Sequence, residues 1–304
     1  MPSIDLRRLR AFVAIAEEGH ITRAAAVLGM QQPPLTRLLK GIEAELGVRL
    51  MDRTPRGVRA TAAGAALLAE ARVLLAQADG IADRVRRAGR GETGRLAIGF
   101  TSSSALHPFV PAVLRAFRAA APLVAVSLEE AGTGELVDAL LKGRLDASFV
   151  RTPVGFDPGL VADDVLVEPM IVALPAGHSL SGEEGAPLTL ASLAEEDFVL
   201  YRRPTGPGLY DAIVSACRAA GFSARVAQEA PRLTATLSLV AAGLGLSIVP
   251  ASMRGLGVGA VVYRTLAPEA GLVAPIHLAS RRDDPSAVLG RFRDLVVAMK
   301  PAAA

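Results

Sequence analysis

An α/β chain is predicted, in which an N-terminal winged helix-turn-helix is followed by a linker helix and a larger domain of alternating strands and helices. Three observations predict it. Residues 6–46 hold short amphipathic helical stretches, the last two joined by a tight turn; residues 61–88 form a proline-free run with a seven-residue apolar repeat; and beyond Arg95, strand-like apolar runs alternate with helical segments. At 304 residues the chain exceeds the size of one hydrophobic core, so two or three domains are expected. Hydrophobic residues make up 51% and charged residues 21%, a globular rather than a disordered balance.

The first helix is read from Leu6, Leu9, Phe12, Val13 and Ala16, with Asp5 placed to cap it and Gly19 to end it. A second runs from about Thr22 to Leu28, where Ala24, Ala25 and Ala26 allow close approach by a neighbour. The third opens on Gln32-Pro33-Pro34, where prolines are tolerated because first-turn N–H groups lack helical partners, and continues to Leu46 and Gly47. Its polar face is the informative part. Gln31, Gln32, Pro33, Pro34, Thr36, Arg37 and Lys40 lie at or beside its start, where a helix entering a major groove meets base edges and phosphates; an ordinary solvated face is the competing use. Val48-Arg49-Leu50 and Val58-Arg59-Ala60 then flank Thr54-Pro55-Arg56-Gly57 as a hairpin wing, with Arg53 and Arg56 near its tip. Residues 1–60 contain ten Lys+Arg and six Asp+Glu, a net of +4; against +3 for the whole chain this leaves −1 for the rest. Positive charge gathered at one end fits a segment that meets phosphates.

Ala24-Ala25, Leu28, Gln32-Pro33, Leu35, Glu43, Leu46-Gly47, Leu50, Arg53, Thr61 and Gly64 resemble the N-terminal signature of the LysR-type transcriptional regulators. The resemblance implies a sequence-specific binder of double-stranded DNA. Departures are local: His20 and Gln31 stand where the family usually has serines, Pro34 replaces an alanine, and Met51 the common phenylalanine.

From Thr61 to about Ala88, Leu67, Ala71, Leu74, Ala78, Ile81 and Val85 alternate steps of four and three, the spacing of an a/d seam. A helix buried in its own core gives the same pattern. Resemblance to the family's linker favours an antiparallel dimerisation helix, hence a homodimer or, as is common in the family, a homotetramer. Paired heads suit two half-sites of an approximately palindromic operator.

The strand-like runs beyond Arg95 are Leu96–Phe100, Val124–Leu128, Ala147–Val150, Met170–Leu174, Phe198–Tyr201, Leu246–Val249 and Ile276–Ala279, with helices over 108–120, 134–142, 209–220 and 286–299 and a further segment over 233–242. The layout suggests a parallel sheet flanked by helices. It also resembles the family's effector-binding domain, whose two lobes share the periplasmic-binding-protein-like architecture; Gly143-Arg144-Leu145-Asp146 and residues 239–250 carry that likeness. The expected domains are therefore 1–60 (winged helix-turn-helix), 61–90 (linker) and 91–304 (effector binding). Crossings near 163 and 268 divide the last into lobe one, 95–163 with 268–300, and lobe two, 164–267.

Ligands of open α/β sheets collect beyond the carboxyl ends of strands, where helix N-termini offer free N–H groups. Thr101, Ser102, Ser103 and Ser104 follow the first of these strands, Thr133 opens a helix after the second, and Arg151-Thr152 follow the third. Related regulators of aromatic-compound breakdown hold a carboxylate with a serine and a threonine at the first two places. Thr133 aligns with that threonine and the serine is one of residues 102–104. Helix capping is the competing use of these hydroxyls. Arg202, Arg203 and Thr205 are the lobe-two candidates, and two guanidinium groups with several hydroxyls suggest a small anionic effector, a carboxylate or aromatic acid; ordinary surface arginine is the competing use.

No cofactor is expected. Cys217 is the only cysteine, the four histidines lack zinc-type spacing, and no nucleophile–base pair or phosphate-binding glycine loop is present, so an enzyme is disfavoured. The charged first ten residues and the lack of a run of about 20 apolar residues disfavour a transported solute-binding protein and suggest a cytoplasmic chain without membrane contact. RNA polymerase is an expected partner if the regulator activates.

Overall fold

The computed structural model describes residues 4–152, 157–182, 186–203, 207–256 and 258–301, and the chain divides into two compact units, Met1–Arg86 and Arg87–Ala304. No helix among the described residues is long and apolar enough to cross a membrane.

In the first unit, α1 (Leu6–Glu18) starts where Asp5 accepts the Arg8 N–H at 2.8 Å and stops where Gly19 turns to φ +61°. The next helix, α2 (Ile21–Val27), starts at His20, whose Nδ1 accepts the Thr22 N–H at 3.3 Å; the imidazole thus does the capping work of a serine. The third, α3 (Gln32–Leu46), carries its prolines in the first turn and ends at Gly47, φ +68°. Phe12, Ile15, Leu35, Ile42 and Leu50 form the buried centre.

The wing is a hairpin of β1 (Met51–Thr54) and β2 (Gly57–Ala60), paired from Met51↔Ala60 to Thr54↔Gly57. It begins later than Val48, where the sequence suggested, because Glu43 Oε1 accepts the Leu50 and Met51 N–H groups at 2.8 and 3.2 Å. Those donors are spent on a carboxylate of α3. Arg56 is the second residue of the two-residue turn, and Arg53 lies in β1 beside it.

The linker, expected as one helix, is divided at Gly80 into α4 (Ala62–Asp79) and α5 (Ile81–Gly89). Glycine costs about 1 kcal/mol relative to alanine inside a helix, and Arg84 Nη2 donates to the Gln77 carbonyl at 2.8 Å beside the break. Ala71 and Leu75 are buried against Leu9, whereas Leu74, Ile81 and Val85 are 48%, 53% and 65% exposed. The seam is therefore partly consumed within the chain. Its distal half presents apolar side chains to solvent.

The second unit has two lobes. Lobe one contains β3 (Thr93–Phe100), α6 (Ser102–Ala105), α7 (Phe109–Ala120), β4 (Leu123–Glu130), α8 (Thr133–Leu141) and β5 (Ala147–Val150). The chain leaves along β6 (Leu160–Pro175). Lobe two then holds β7 (Asp197–Tyr201), α9 (Pro207–Ala219), β8 (Arg225–Ala230), α10 (Leu233–Ala241), β9 (Ser247–Pro250) and β10 (Val261–Thr265). The return is β11 (Val273–Arg281), closed by α11 (Ala287–Met299). Strand order β10-β6-β11-β5-β3-β4, with β9 also on β6, makes one sheet across both lobes; β7 and β8 pair in parallel and reach it through a Phe198↔Leu246 bridge.

Two expectations change here. The sheet is mixed: β3 runs parallel to β4 and β5, but β11 is antiparallel to β5 and β6, since a chain that leaves and re-enters a lobe sends its two crossing strands in opposite directions. The outward crossing lies at Pro169–Met170, not near residue 163, because β6 pairs with β11 through Pro169 and with β9 from Met170 onward. The return falls between Thr265, the last residue paired in β10, and Val273, the first in β11.

Candidate functional site

Two surfaces collect the candidate residues, one in each unit. Gln31 at the N-cap of α3 and Gln32, Pro33, Arg37 and Lys40 on it are exposed, while Pro34 and Thr36 are half-buried. Thr36 Oγ1 donates back to the Gln32 carbonyl at 3.0 Å, and Thr22 Oγ1 donates to Gln32 Oε1 at 3.2 Å, so the start of α3 is held from α2 as well as from within. Arg8, Arg10, Arg23 and Arg72 of the same unit are each spent on a carboxylate. Arg37, Lys40, Arg53 and Arg56, all exposed, form no ion pair among the described residues. Uncompensated cations on a helix start and a wing tip are what a polyanion needs.

In the second unit a cleft of about 200 Å³ opens between the lobes. Every strand that feeds it, β3, β4, β5, β7 and β8, does so at its carboxyl end. From lobe one come Thr101, Ser102 and Ser103, the Ala131–Thr133 turn that starts α8, and Arg151 with Thr152; from lobe two come Tyr201, Leu209 and the Pro231–Leu233 turn that starts α10. Glu135 accepts the Gly132 N–H at 2.8 Å and closes the α8 turn, with Thr133 buried at its first position. Burial pushes the Tyr201 phenol far above its ordinary pKa, so the group is neutral, and its ring packs edge-on to Tyr210 at 6.3 Å.

Several candidates have other employment. Ser104 is fully buried and turned inward, its Oγ donating to the Phe149 carbonyl at 2.9 Å, which leaves Ser102 and Ser103 as the cleft serines. Thr101 caps α6 and donates its hydroxyl to Ser104 Oγ at 3.0 Å. Thr152 lies against Gly208 of α9 so closely that a Cβ there would overlap its Oγ1. Arg151 is buried in an ion pair with Glu168 at 2.6 Å and donates to the Ala274 and Ser103 carbonyls at 3.0 and 2.8 Å. Burial pulls its pKa down, Glu168 opposes the shift, and the guanidinium holds the fold as well as lining the cleft.

The lobe-two arginines are corrected. Arg203 makes a two-pronged pair with Asp211 at 2.6 and 2.8 Å, a contact that holds the Asp211 carboxyl below its ordinary pKa. Arg202 is exposed and does not line the cleft. Thr205 lies outside the described residues. The lobe-two cation is Arg232, at the N-cap of α10, which donates to Glu130 Oε1 at 3.2 Å. Sequence reasoning missed it because no strand was read over 225–230, so the strand-end rule had no end before Pro231-Arg232 from which to point.

The family model described as LysR substrate binding domain matches residues 89–300, and that described as bacterial regulatory helix-turn-helix protein, lysR family, matches residues 6–65. The HTH-type transcriptional regulator BudR of Raoultella terrigena is 35% identical over 292 residues, 96% of this chain and 100% of that protein. AlsR of Bacillus subtilis, also named an HTH-type transcriptional regulator, is 34% identical over 289 residues, covering 95% and 94%. Full-length CbnR, crystallised with its target DNA, matches at a TM-score of 0.85 and 32% identity over 97% of this chain and 99% of that one. These relatives are regulators, not enzymes, and span nearly the whole chain. The chain belongs to the LysR family of bacterial transcriptional regulators, with a DNA-binding helix-turn-helix domain followed by an effector-binding domain.

Proposed function

We propose that this regulator's hold on its operator is controlled by a small organic anion, a carboxylate or aromatic acid, bound between the lobes. The observation that carries the reading is that five strand ends and the N-termini of α8 and α10 meet at one cleft containing the Ser102 and Thr133 hydroxyls and the Arg232 guanidinium. Helix N-termini favour negative charge, guanidinium suits carboxylate geometry, and the Tyr201, Leu209 and Leu233 side chains suit an organic body. An anion touching both lobes shifts them toward closure by the difference in its affinity for the two arrangements.

Calorimetric titration with benzoate, salicylate, succinate and adipate tests this. Thr133→Val keeps the side-chain shape and removes one hydrogen bond to a charged group, so it lowers the affinity of whichever acid binds by at least about tenfold while leaving DNA binding by the unliganded protein intact. Equal affinity in Thr133→Val and Arg232→Ala would place the ligand elsewhere.

On the DNA side we assign base contact to Gln32 and Arg37, with Gln31, Pro33, Pro34, Thr36 and Lys40 around them and Arg53 and Arg56 on the phosphate backbone. Arg37→Ala and Gln32→Ala each cost about 1–3 kcal/mol of operator affinity with unchanged thermal stability. Arg53→Ala or Arg56→Ala weakens binding to every sequence and lowers the salt slope by about one. Footprinting across a salt series separates the two classes, and wild-type footprints from Arg37→Ala and Gln32→Ala would end the base-contact assignment. The exposed distal seam of α4 and α5 supports pairing with a second copy, as a homodimer or homotetramer, which would offer two heads to two half-sites. Contact with RNA polymerase belongs to the activating case.

A further inference from the structure

Glu130 ends β4 at the rim of the cleft, and its carboxylate already takes the two groups an incoming anion would need from opposite lobes. Ser102 Oγ donates to Glu130 Oε1 at 2.5 Å, and Arg232 Nη1 donates to the same oxygen at 3.2 Å. Ser102 and Arg232 both line the cleft, whereas Glu130 lines only the adjoining cavity. The ion pair thus spans lobe one and lobe two. A serine hydroxyl carries one proton, so Ser102 cannot donate to Glu130 and to a bound carboxylate together. Arginine, with five N–H donors, can serve both.

We infer that Glu130 is a built-in competitor for the effector's carboxylate: it holds Ser102 and Arg232 in the unliganded protein and must release Ser102 before the anion can take that hydroxyl. This rests on the cleft being the anion site, as proposed above. The consequence is quantitative. Apparent affinity is the intrinsic affinity multiplied by the fraction of molecules in which Ser102 is released, so removal of the Glu130 carboxylate tightens binding. The partners are half exposed, with Arg232 at 51% and Glu130 at 46%, which keeps the contact weak enough for a small molecule to displace. The regulator would then respond at a higher effector concentration than its cleft alone would set.

Removing any nearby negative charge also attracts an anion, and the neighbouring Glu129 separates the two effects. It lies on the same strand end and pairs with Arg144 at 3.5 Å, while the Ser102 hydroxyl donates to Glu130. The experiment is calorimetric titration of the full chain with benzoate, salicylate and succinate, carrying the tightest binder through Glu130→Ala, Glu129→Ala, Ser102→Ala, Ser102→Ala/Glu130→Ala and Thr133→Val. The expected result is binding about three- to tenfold tighter in Glu130→Ala, less than about twofold tighter in Glu129→Ala, and no gain from Glu130→Ala in the Ser102→Ala background. No gain in Glu130→Ala, an equal gain in Glu129→Ala, or a gain that persists without Ser102 overturns the competition. If one of these results comes with affinity lost in Thr133→Val, the cleft stands as the anion site and only the role of Glu130 falls. If Thr133→Val binds like the wild type, or no acid binds either wild type or Glu130→Ala, the cleft reading falls and the inference with it.

Discussion

Glu168→Ala should destabilise the effector-binding unit by about 3–5 kcal/mol. The Arg151 and Glu168 side chains are only 3% and 6% exposed, and their ion pair at 2.6 Å stands where the chain passes between lobes. Glu168 precedes the Pro169–Met170 crossing on β6, and Ala274, whose carbonyl accepts from Arg151, lies just after the return on β11. From lobe two, Ser252 donates its N–H and its hydroxyl to the Glu168 carboxylate at 2.6 and 3.0 Å. Deleting the carboxylate strands a buried guanidinium whose Nε already has no partner. The cost is that of an uncompensated buried charge rather than of one lost contact. Arg151→Met/Glu168→Leu, which removes both charges, should recover most of the loss. Denaturant unfolding of the three proteins is the measurement, and a loss below about 1 kcal/mol in Glu168→Ala would mean that water or a rearranged side chain reaches Arg151.

This cluster also marks where the sequence stopped being informative. Helix ends were legible because their causes are local: Asp5 reaches an N–H three residues on, and Gly19 and Gly47 take a left-handed turn by themselves. The wing's first strand was not, because the N–H groups of Leu50 and Met51 are claimed by Glu43, a residue of the preceding helix. Strand direction leaves no trace in apolar runs, so the antiparallel crossing strands read like the parallel ones. In the cleft, the strand-end rule located Ser102, Ser103, Thr133 and Thr152. It could not show that Ser104 turns toward Phe149, that Arg203 is spent on Asp211, or that Arg151 is shared with Glu168. Resemblance of the stretch after Phe198–Tyr201 to related sequences favoured Arg202 and Arg203, whereas Arg232, which lines the cleft, follows Arg225–Ala230, a strand whose polar residues hide it from an apolar-run reading.

Leu74→Asp should reduce the assembly to monomers at micromolar concentration while leaving each unit folded. The reason lies in the division of labour along α4. Ala71 and Leu75 face Leu9 and are buried within one chain, so a charge at Leu75 would damage the unit itself. Leu74, one position away, is 48% exposed and continues toward Ile81 and Val85, which are 53% and 65% exposed, on a helix with no buried residue of its own. Those side chains find cover only against another surface. In the proposed dimer, a carboxylate at position 74 would be desolvated among apolar side chains without a partner, a cost of several kcal/mol that falls entirely on association. The isolated chain would carry the new charge in water and lose almost nothing. Sedimentation velocity reads the assembly and thermal unfolding reads the fold, with Leu75→Asp as the contrasting variant that should lower the melting temperature. A monomeric Leu74→Asp should also bind a single half-site about as well as a two-half-site operator, because the gain from linking two heads is lost. Wild-type sedimentation from Leu74→Asp would mean that the exposed seam meets something other than a second copy of this chain.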